Sequence, residues 1–173
     1  MAALDVRSLT AQDAAAERDA LSEVLMSCVH NGASVNFMLP FPKAEADAFW
    51  DRVIPGVAAG NIRLVAAYID GRLVGTGQLA FAPQPNQPHR ADIAKMLVHH
   101  DFRKRGVGEA VMAALEREAR AAGKTLLTLD TASDAAERLY QRSGFVRFGI
   151  VPGYALWPQG GLGDAVFYYK QLV

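Results

Sequence analysis

The chain has 173 residues, 51% hydrophobic and 21% charged, enough apolar material to bury a sizeable core and too much for a disordered polymer. Its 18 Lys plus Arg balance 18 Asp plus Glu, which argues against a general nucleic-acid binder, whose affinity rests on a basic face. One cysteine rules out an internal disulfide and no apolar run reaches membrane length. With no leader-like start, the expectation is one cytoplasmic domain over residues 1–173 with no membrane or nucleic-acid partner.

Asp5 to Leu9 is expected to be a short strand, with Thr10 or Asp13 capping the helix after it. In that helix Leu21, Val24, Leu25 and Cys28 fall at i, i+3, i+4 and i+7, so Cys28 reads as a small buried hydrophobe in an apolar stripe. Residues 30–38 mix small, polar and aromatic side chains before Pro40 and Pro42. They form either a plain connection or a pocket lining, in which Asn31 and Ser34 give directional hydrogen bonds and Phe37 a wall. Lys43 to Ala59 is a second helix, with Ala46, Phe49, Trp50 and Val53 inward and Pro55 bending or ending it. Ile62 to Ile69 and Leu73 to Phe81 form a hairpin about Asp70-Gly71. Pro83 to His89 is an irregular loop.

Asp92 to Val98 is mostly apolar and suits an inner strand. After it comes Arg103-x-x-Gly106-x-Gly108, and then Val107, Val111, Ala114, Leu115 and Ala122 at helical spacing. Glycines where a loop becomes a helix leave backbone N–H groups free for an anion. Arg103, Lys104 and Arg105 add charge, so the loop reads as a pyrophosphate cradle. Glu109-Ala110 after Gly108 departs from a triphosphate P-loop, and Val111 departs from a Rossmann fingerprint. Gly123-Lys124 stops the helix; Thr125 to Asp130 is a strand, and Ser133 to Tyr140 a short helix ended by Ser143-Gly144-Phe145. Val146 to Val151 is a strand, and Pro152-Gly153-Tyr154 and Gly160 to Gly163 bracket a long loop. Asp164 to Gln171 is the last strand, whose aromatics either pack in the core or expose an edge for a homodimer.

Arg103-x-x-Gly106-x-Gly108 resembles the coenzyme A loop of the GNAT superfamily of N-acyltransferases. A second block, Ala136, Tyr140 and Gly144-Phe145, resembles another motif of that family at the right separation. The element order matches over nearly the whole chain. The resemblance implies an α/β GNAT-like fold, a mixed central sheet of about seven strands flanked by about four helices. It implies acetyl-CoA as co-substrate and no metal. By family position the backbone of Met96, Leu97 and Val98 takes the pantetheine arm, and residues Arg103, Lys104, Arg105, Gly106, Val107 and Gly108, with Ala136, take the rest of the cofactor. Residues 30–38, Leu126 to Thr131 and Pro152 to Tyr154 resemble the tabtoxin-resistance acetyltransferases, which implies a small amine acceptor, an amino acid or amino-acid-like toxin, near Asn31, Ser34, Phe37 and Tyr154. A protein or peptide amine, or a non-catalytic acyl-CoA-binding module, are the competing expectations. His100, Ser133 and Asp92 stand where many members have proline, asparagine and glutamate.

Acetyl transfer to an amine needs a base, a donor for the carbonyl oxygen and an acid for the leaving thiolate. Asp92, in an apolar strand, is expected to be buried with a raised pKa and to act as base directly or through water, or else to pair with Arg90, Lys95 or Arg103. Asp130 ends a strand; it binds the substrate ammonium, acts as base, or caps the next helix. Tyr140 is the acid by family position and otherwise a core tyrosine beside Phe145. The adjacent His99 and His100 point to opposite faces of a strand and carry no metal-ligand spacing.

Overall fold

The computed structural model of the chain describes residues 3–172. Its seven strands are β1 (Leu4–Leu9), β2 (Ile62–Ile69), β3 (Arg72–Phe81), β4 (Arg90–Val98), β5 (Leu126–Thr131), β6 (Val146–Leu156) and β7 (Leu162–Gln171). They form one sheet in the order β1-β2-β3-β4-β5-β7-β6. All neighbours are antiparallel except β4 and β5. That parallel pair is joined by a helical crossover, as parallel strands require.

Five helices flank the sheet: α1 (Ala11–Ala16), α2 (Arg18–His30), α3 (Lys43–Ala58), α4 (Val107–Ala121) and α5 (Asp134–Arg142). The fifth arises because the first predicted helix is broken at Glu17, which serves as C-cap of α1 and N-cap of α2. Thr10 caps α1, and Asp13 reaches back to the Thr10 N–H at 3.0 Å, a reciprocal capping box.

Two cores form, one on each face. The first three helices pack with Leu64, Ala66, Leu73 and Leu97 around the fully buried Trp50, and the predicted stripe of Leu21, Val24, Leu25 and Cys28 lies in this layer. Helix α4 covers the other face over Val65, Ala67, Leu79 and Ile93. It comes close because β3 lacks a side chain there: a Cβ on Gly77 would stand 2.8 Å from both Leu115 Cδ1 and Val111 Cγ1. The core under the first three helices draws on β1 to β4 and takes no residue from β5, β6 or β7.

The chain between Pro152 and Gly163 departs from expectation. Strand β6 runs on through Pro152-Gly153 to Leu156, and β7 begins at Leu162, so a hairpin replaces the long loop. A register shift between Val151 and Ala155 absorbs the Pro-Gly pair, and an edge strand has no use for the N–H that proline lacks. The apolar exposure is also placed differently. Tyr168 is fully buried, while Val146, Phe148, Ile150 and Leu156 of β6 are exposed.

Candidate active site

Strands β4 and β5 pair only at Arg90↔Leu126, Ala91↔Leu127 and Asp92↔Thr128. Beyond this point β4 stays with β3 as far as Val98 and β5 stays with β7 as far as Thr131. The sheet therefore opens into a wedge, and the β4 backbone from Ile93 onward, including Met96, Leu97 and Val98, has no strand partner on its β5 side.

At the head of the wedge lies the basic loop. A 3-10 turn (His100–Phe102) leads to Arg103, then Lys104 at φ 62° and Gly106 at φ 78°. Gly106 is the N-cap of α4 and lends no side-chain cap, so the first-turn N–H groups of α4 stay open. Arg103, Lys104 and Arg105 are exposed and none forms an ion pair with a carboxylate among the described residues. Arg105 lies over the Phe102 ring at 5.0 Å, and Arg103 reaches the Cys28 thiol, which also donates to the Val98 carbonyl at 3.4 Å. Gly108 also has a packing role. A Cβ there would meet Leu139 Cδ2 at 3.2 Å, so its missing side chain makes room for α5. Val107 is buried in the α4 core. Ala136 lies in the first turn of α5, where its N–H faces the Ser133 cap.

A bulge in β4 decides which side chains reach the wedge. Gln78 pairs with Ala94 and Thr76 with Leu97, so β4 carries one residue more than β3. Lys95 takes the extra place at φ 50°. Ala91 and Ile93 pack in the α4 core, and so do Met96 and Val98, so the face parity flips at the bulge. Asp92 and Lys95, three apart, consequently share the face that also carries Thr128 and Asp130.

Asp92 is not the buried carboxylate the sequence suggests. Its side chain is 45% exposed and pairs with Arg90 Nη1 at 2.5 Å, while the Thr128 hydroxyl donates to the same oxygen. It alternates with Ala91 and Ile93 and so points away from the α4 core. The predicted ion pair with Arg90 is the one that forms.

Asp130 contrasts with it. Its carboxylate makes no hydrogen bond among the described residues, and it does not cap α5, whose N-cap is Ser133. Solvent reaches it, yet surrounding protein withholds enough water to push its pKa up. Nearby Asp92 adds to the rise and Lys95 opposes it. Tyr140 is 5% exposed, among the rings of Phe145 and Tyr168. Burial first, and Asp130 second, drive its pKa well upward, so the phenol stays protonated. The buried polar side-chain atoms without a partner among the described residues are Trp50 Nε1 and Gln78 Nε2. The Tyr140 oxygen makes no hydrogen bond among the described residues either.

Two walls flank this group. Phe37 packs on Phe41 at 4.6 Å and on Phe49 of α3 at 5.5 Å. On the other side Phe167, cross-strand from Asp130, meets Tyr154 at 5.5 Å. The Leu39 N–H donates to the Pro158 carbonyl at 2.9 Å, which ties the α2–α3 loop to the β6–β7 turn. Asn31 spends its amide on the Ser27 carbonyl at 2.8 Å, at the end of α2. Ser34 is half-buried in the same loop. Thr128, Lys95 and the Leu39–Pro158 tie are the features that sequence reasoning missed. The cross-strand register of β4 and β5 would have found the first; a bulge at Lys95 leaves no residue-type signal.

A model describing the acetyltransferase (GNAT) family matches residues 18–145. Among solved structures the chain is similar to an N-acetyltransferase from Staphylococcus aureus Mu50, at 17% identity and a TM-score of 0.81, over 99% of each chain. It is similar to a ribosomal-protein-alanine N-acetyltransferase from Brucella melitensis, at 22% identity and a TM-score of 0.76, over 97% of this chain and 99% of that one. A phosphinothricin acetyltransferase from Sinorhizobium meliloti, in complex with acetyl-CoA, matches at 19% identity and a TM-score of 0.79, over 98% of this chain and 88% of that one. At such identities the likeness is one of fold.

Proposed function

The chain belongs to the acetyltransferase (GNAT) family, and from that premise we propose that it moves the acetyl group of acetyl-CoA to the primary amine of a small molecule, an amino acid or amino-acid-like toxin. The observation that carries this reading is the wedge between β4 and β5, with the open N-terminus of α4 and three unpaired cations at its head. That arrangement suits a long ligand with a pyrophosphate at one end. The free β4 edge offers backbone groups to the pantetheine arm, and the basic loop offers charge and N–H groups to the phosphates.

Bound acetyl-CoA supplies an activated thioester. The rest falls to this chain. Asp130, with its pKa held up and no competing hydrogen bond, suits the removal of the proton that an ammonium must lose before its nitrogen attacks. A backbone N–H on the unpaired edge of β4 serves the carbonyl oxygen as charge builds there. Tyr140, protonated and without a hydrogen-bond partner among the described residues, can give its proton to the departing sulfur and recover one from the nitrogen as the amide forms. Asp92 acts one step removed: its negative charge helps to keep the Asp130 pKa high, and Arg90 and Thr128 hold it in place.

The aromatic walls and the Leu39–Pro158 tie support a small acceptor over a protein amine, because a bridge across the site limits what can enter. The test is thiol release from acetyl-CoA with a panel of small primary amines beside peptides with free N-termini. Turnover with small amines is expected; turnover with peptides alone would sink the small-acceptor reading. The exposed apolar residues of β6 favour association of two copies through that edge. Sedimentation of the purified chain, with Phe148→Glu as the disrupting variant, decides it.

A further inference from the structure

We propose that Lys95 binds a carboxylate on the acceptor, so that the substrate is an amine with an acidic group, held with that group on Lys95 and its nitrogen at Asp130. The inference rests on the acetyltransferase reading and narrows its substrate class.

Four observations lead there. First, Lys95 occupies the bulge of β4 in a left-handed conformation that costs a residue with a Cβ. The bulge brings its side chain to the same face as Asp130, where strict alternation would have sent it to the opposite one. Secondly, Lys95 is half-buried and forms neither a hydrogen bond nor an ion pair among the described residues. Burial pulls its pKa down, and Asp130 only partly opposes this. An ammonium held in that state gains from an anion that arrives with the ligand. Thirdly, Lys95 and Asp130 lie on the same face of adjacent strands, and no ion pair joins them among the described residues. A basic and an acidic group on one face suit the two ends of a zwitterion laid in the opposite sense. Fourthly, Gln78, cross-strand from Ala94 beside the bulge, is 5% exposed and its amide nitrogen has no partner. It alternates with Gly77 and Leu79 of the α4 face, so it lies on the Lys95 face, where its amide nitrogen is a neutral donor without a partner among the described residues.

Aromatic rings bound the position. The Lys95 ammonium lies 5.7 Å from the centre of the Phe49 ring, which in turn packs against Phe37. The acidic end of the acceptor would thus sit under the α2–α3 loop, and the rest of the molecule would extend towards Phe167 and Tyr154.

The experiment measures acetyl transfer with matched pairs of acceptors, L-amino acids and the amines that lack their carboxylate, for wild type, Lys95→Met and Lys95→Arg. Wild type should prefer the carboxylated member of a pair. Lys95→Met should raise KM for that member by about 10- to 100-fold relative to the carboxylate-free amine, the weight of a charge-assisted contact, with KM for acetyl-CoA unchanged, while any change in kcat through the loss of the Lys95 charge beside Asp130 falls on both members alike. Lys95→Arg should retain the preference. Equal use of both members by wild type, or a preference that survives Lys95→Met, overturns the role of Lys95 and leaves the acetyltransferase reading intact. If neither member of any pair is acetylated while peptides are, the small-amine reading fails and this inference fails with it.

Discussion

Replacing Gly106 by alanine separates two properties of the α4 N-terminus. Gly106 sits at φ 78°, and a Cβ there would meet nothing within 4 Å. The folded state therefore loses only what the left-handed backbone costs an alanine, about 1–2 kcal/mol. For a chain of this length each kcal/mol is worth roughly 2–4 °C, so Tm should fall by ~2–8 °C. Ligand binding reports the second property. At 100 times its Kd, acetyl-CoA should stabilise the wild type by about 2.7 kcal/mol, a rise of roughly 5–10 °C. The new methyl group projects into the open space at the N-cap, where the phosphates would lie against the first-turn N–H groups. A tenfold rise in Kd, equivalent to about 1.4 kcal/mol, would halve the acetyl-CoA shift at the same ligand concentration. Thermal unfolding of both proteins with and without acetyl-CoA gives both numbers. A full acetyl-CoA shift in a variant that is destabilised as expected would refute the cradle. An unchanged Tm without ligand would refute the argument from backbone strain.

Asp130→Asn should abolish most turnover, by ~10²–10⁴ if it is the base, and should raise Tm at pH 7. The sign follows from a folded-state pKa above the unfolded one. The stability contribution of such a group is fully present below the unfolded value and is lost as pH rises through the folded one, so the ionised carboxylate destabilises at neutral pH. The Tm advantage of the variant should disappear in acid below the ordinary aspartate range, and an advantage that persists there would contradict it. Tyr140→Phe removes a hydroxyl without a protein partner, so Tm should change little while the rate with acetyl-CoA falls by up to ~10²–10⁴; a wild-type rate would remove Tyr140 from the chemistry. Cys28, 2% exposed and with its pKa raised by burial, should resist a thiol reagent in the native chain and react with one equivalent once unfolded. Fast native labelling would show that the α2 core opens.

The parts of the fold carried by local rules were legible in the sequence. Asp70-Gly71 announces its hairpin, and the apolar stripe of α2 and the glycines before α4 announce theirs. The parts that depend on register were not. Lys95 and Asp92 fall on opposite faces by alternation and on the same face once a bulge is inserted, and nothing about a lysine signals that it will take φ 50°. Pro152-Gly153 reads as a loop because both residues disfavour strands, yet an edge strand accommodates them. Asp92 reads as a buried charge in an apolar strand, but its pairing with Arg90 and Thr128 depends on the register of β5 against β4. Conversely, Asp130 was open to three readings on sequence, and it is the Ser133 cap on α5 that removes one of them.

The wedge also makes the sheet two plates instead of one. Strands β1 to β4 form the first and β5, β7 and β6 the second, and a ladder of three residue pairs is all the sheet itself provides between them. Helix α4 carries much of the remaining load. It rests on the first plate through Val111 and Leu115, and it grips the second through Glu116, which takes the Lys170 ammonium of β7 at 2.7 Å. Its Glu109 takes Arg142 of α5 at 2.9 Å. A ligand lying along the wedge would act as a further strand between the plates, beside α4, the Thr128 contacts to Arg90 and Asp92, and the Leu39–Pro158 hydrogen bond that already join them. The Glu116–Lys170 pair is thus a place where mutation would soften the frame at a distance from the wedge.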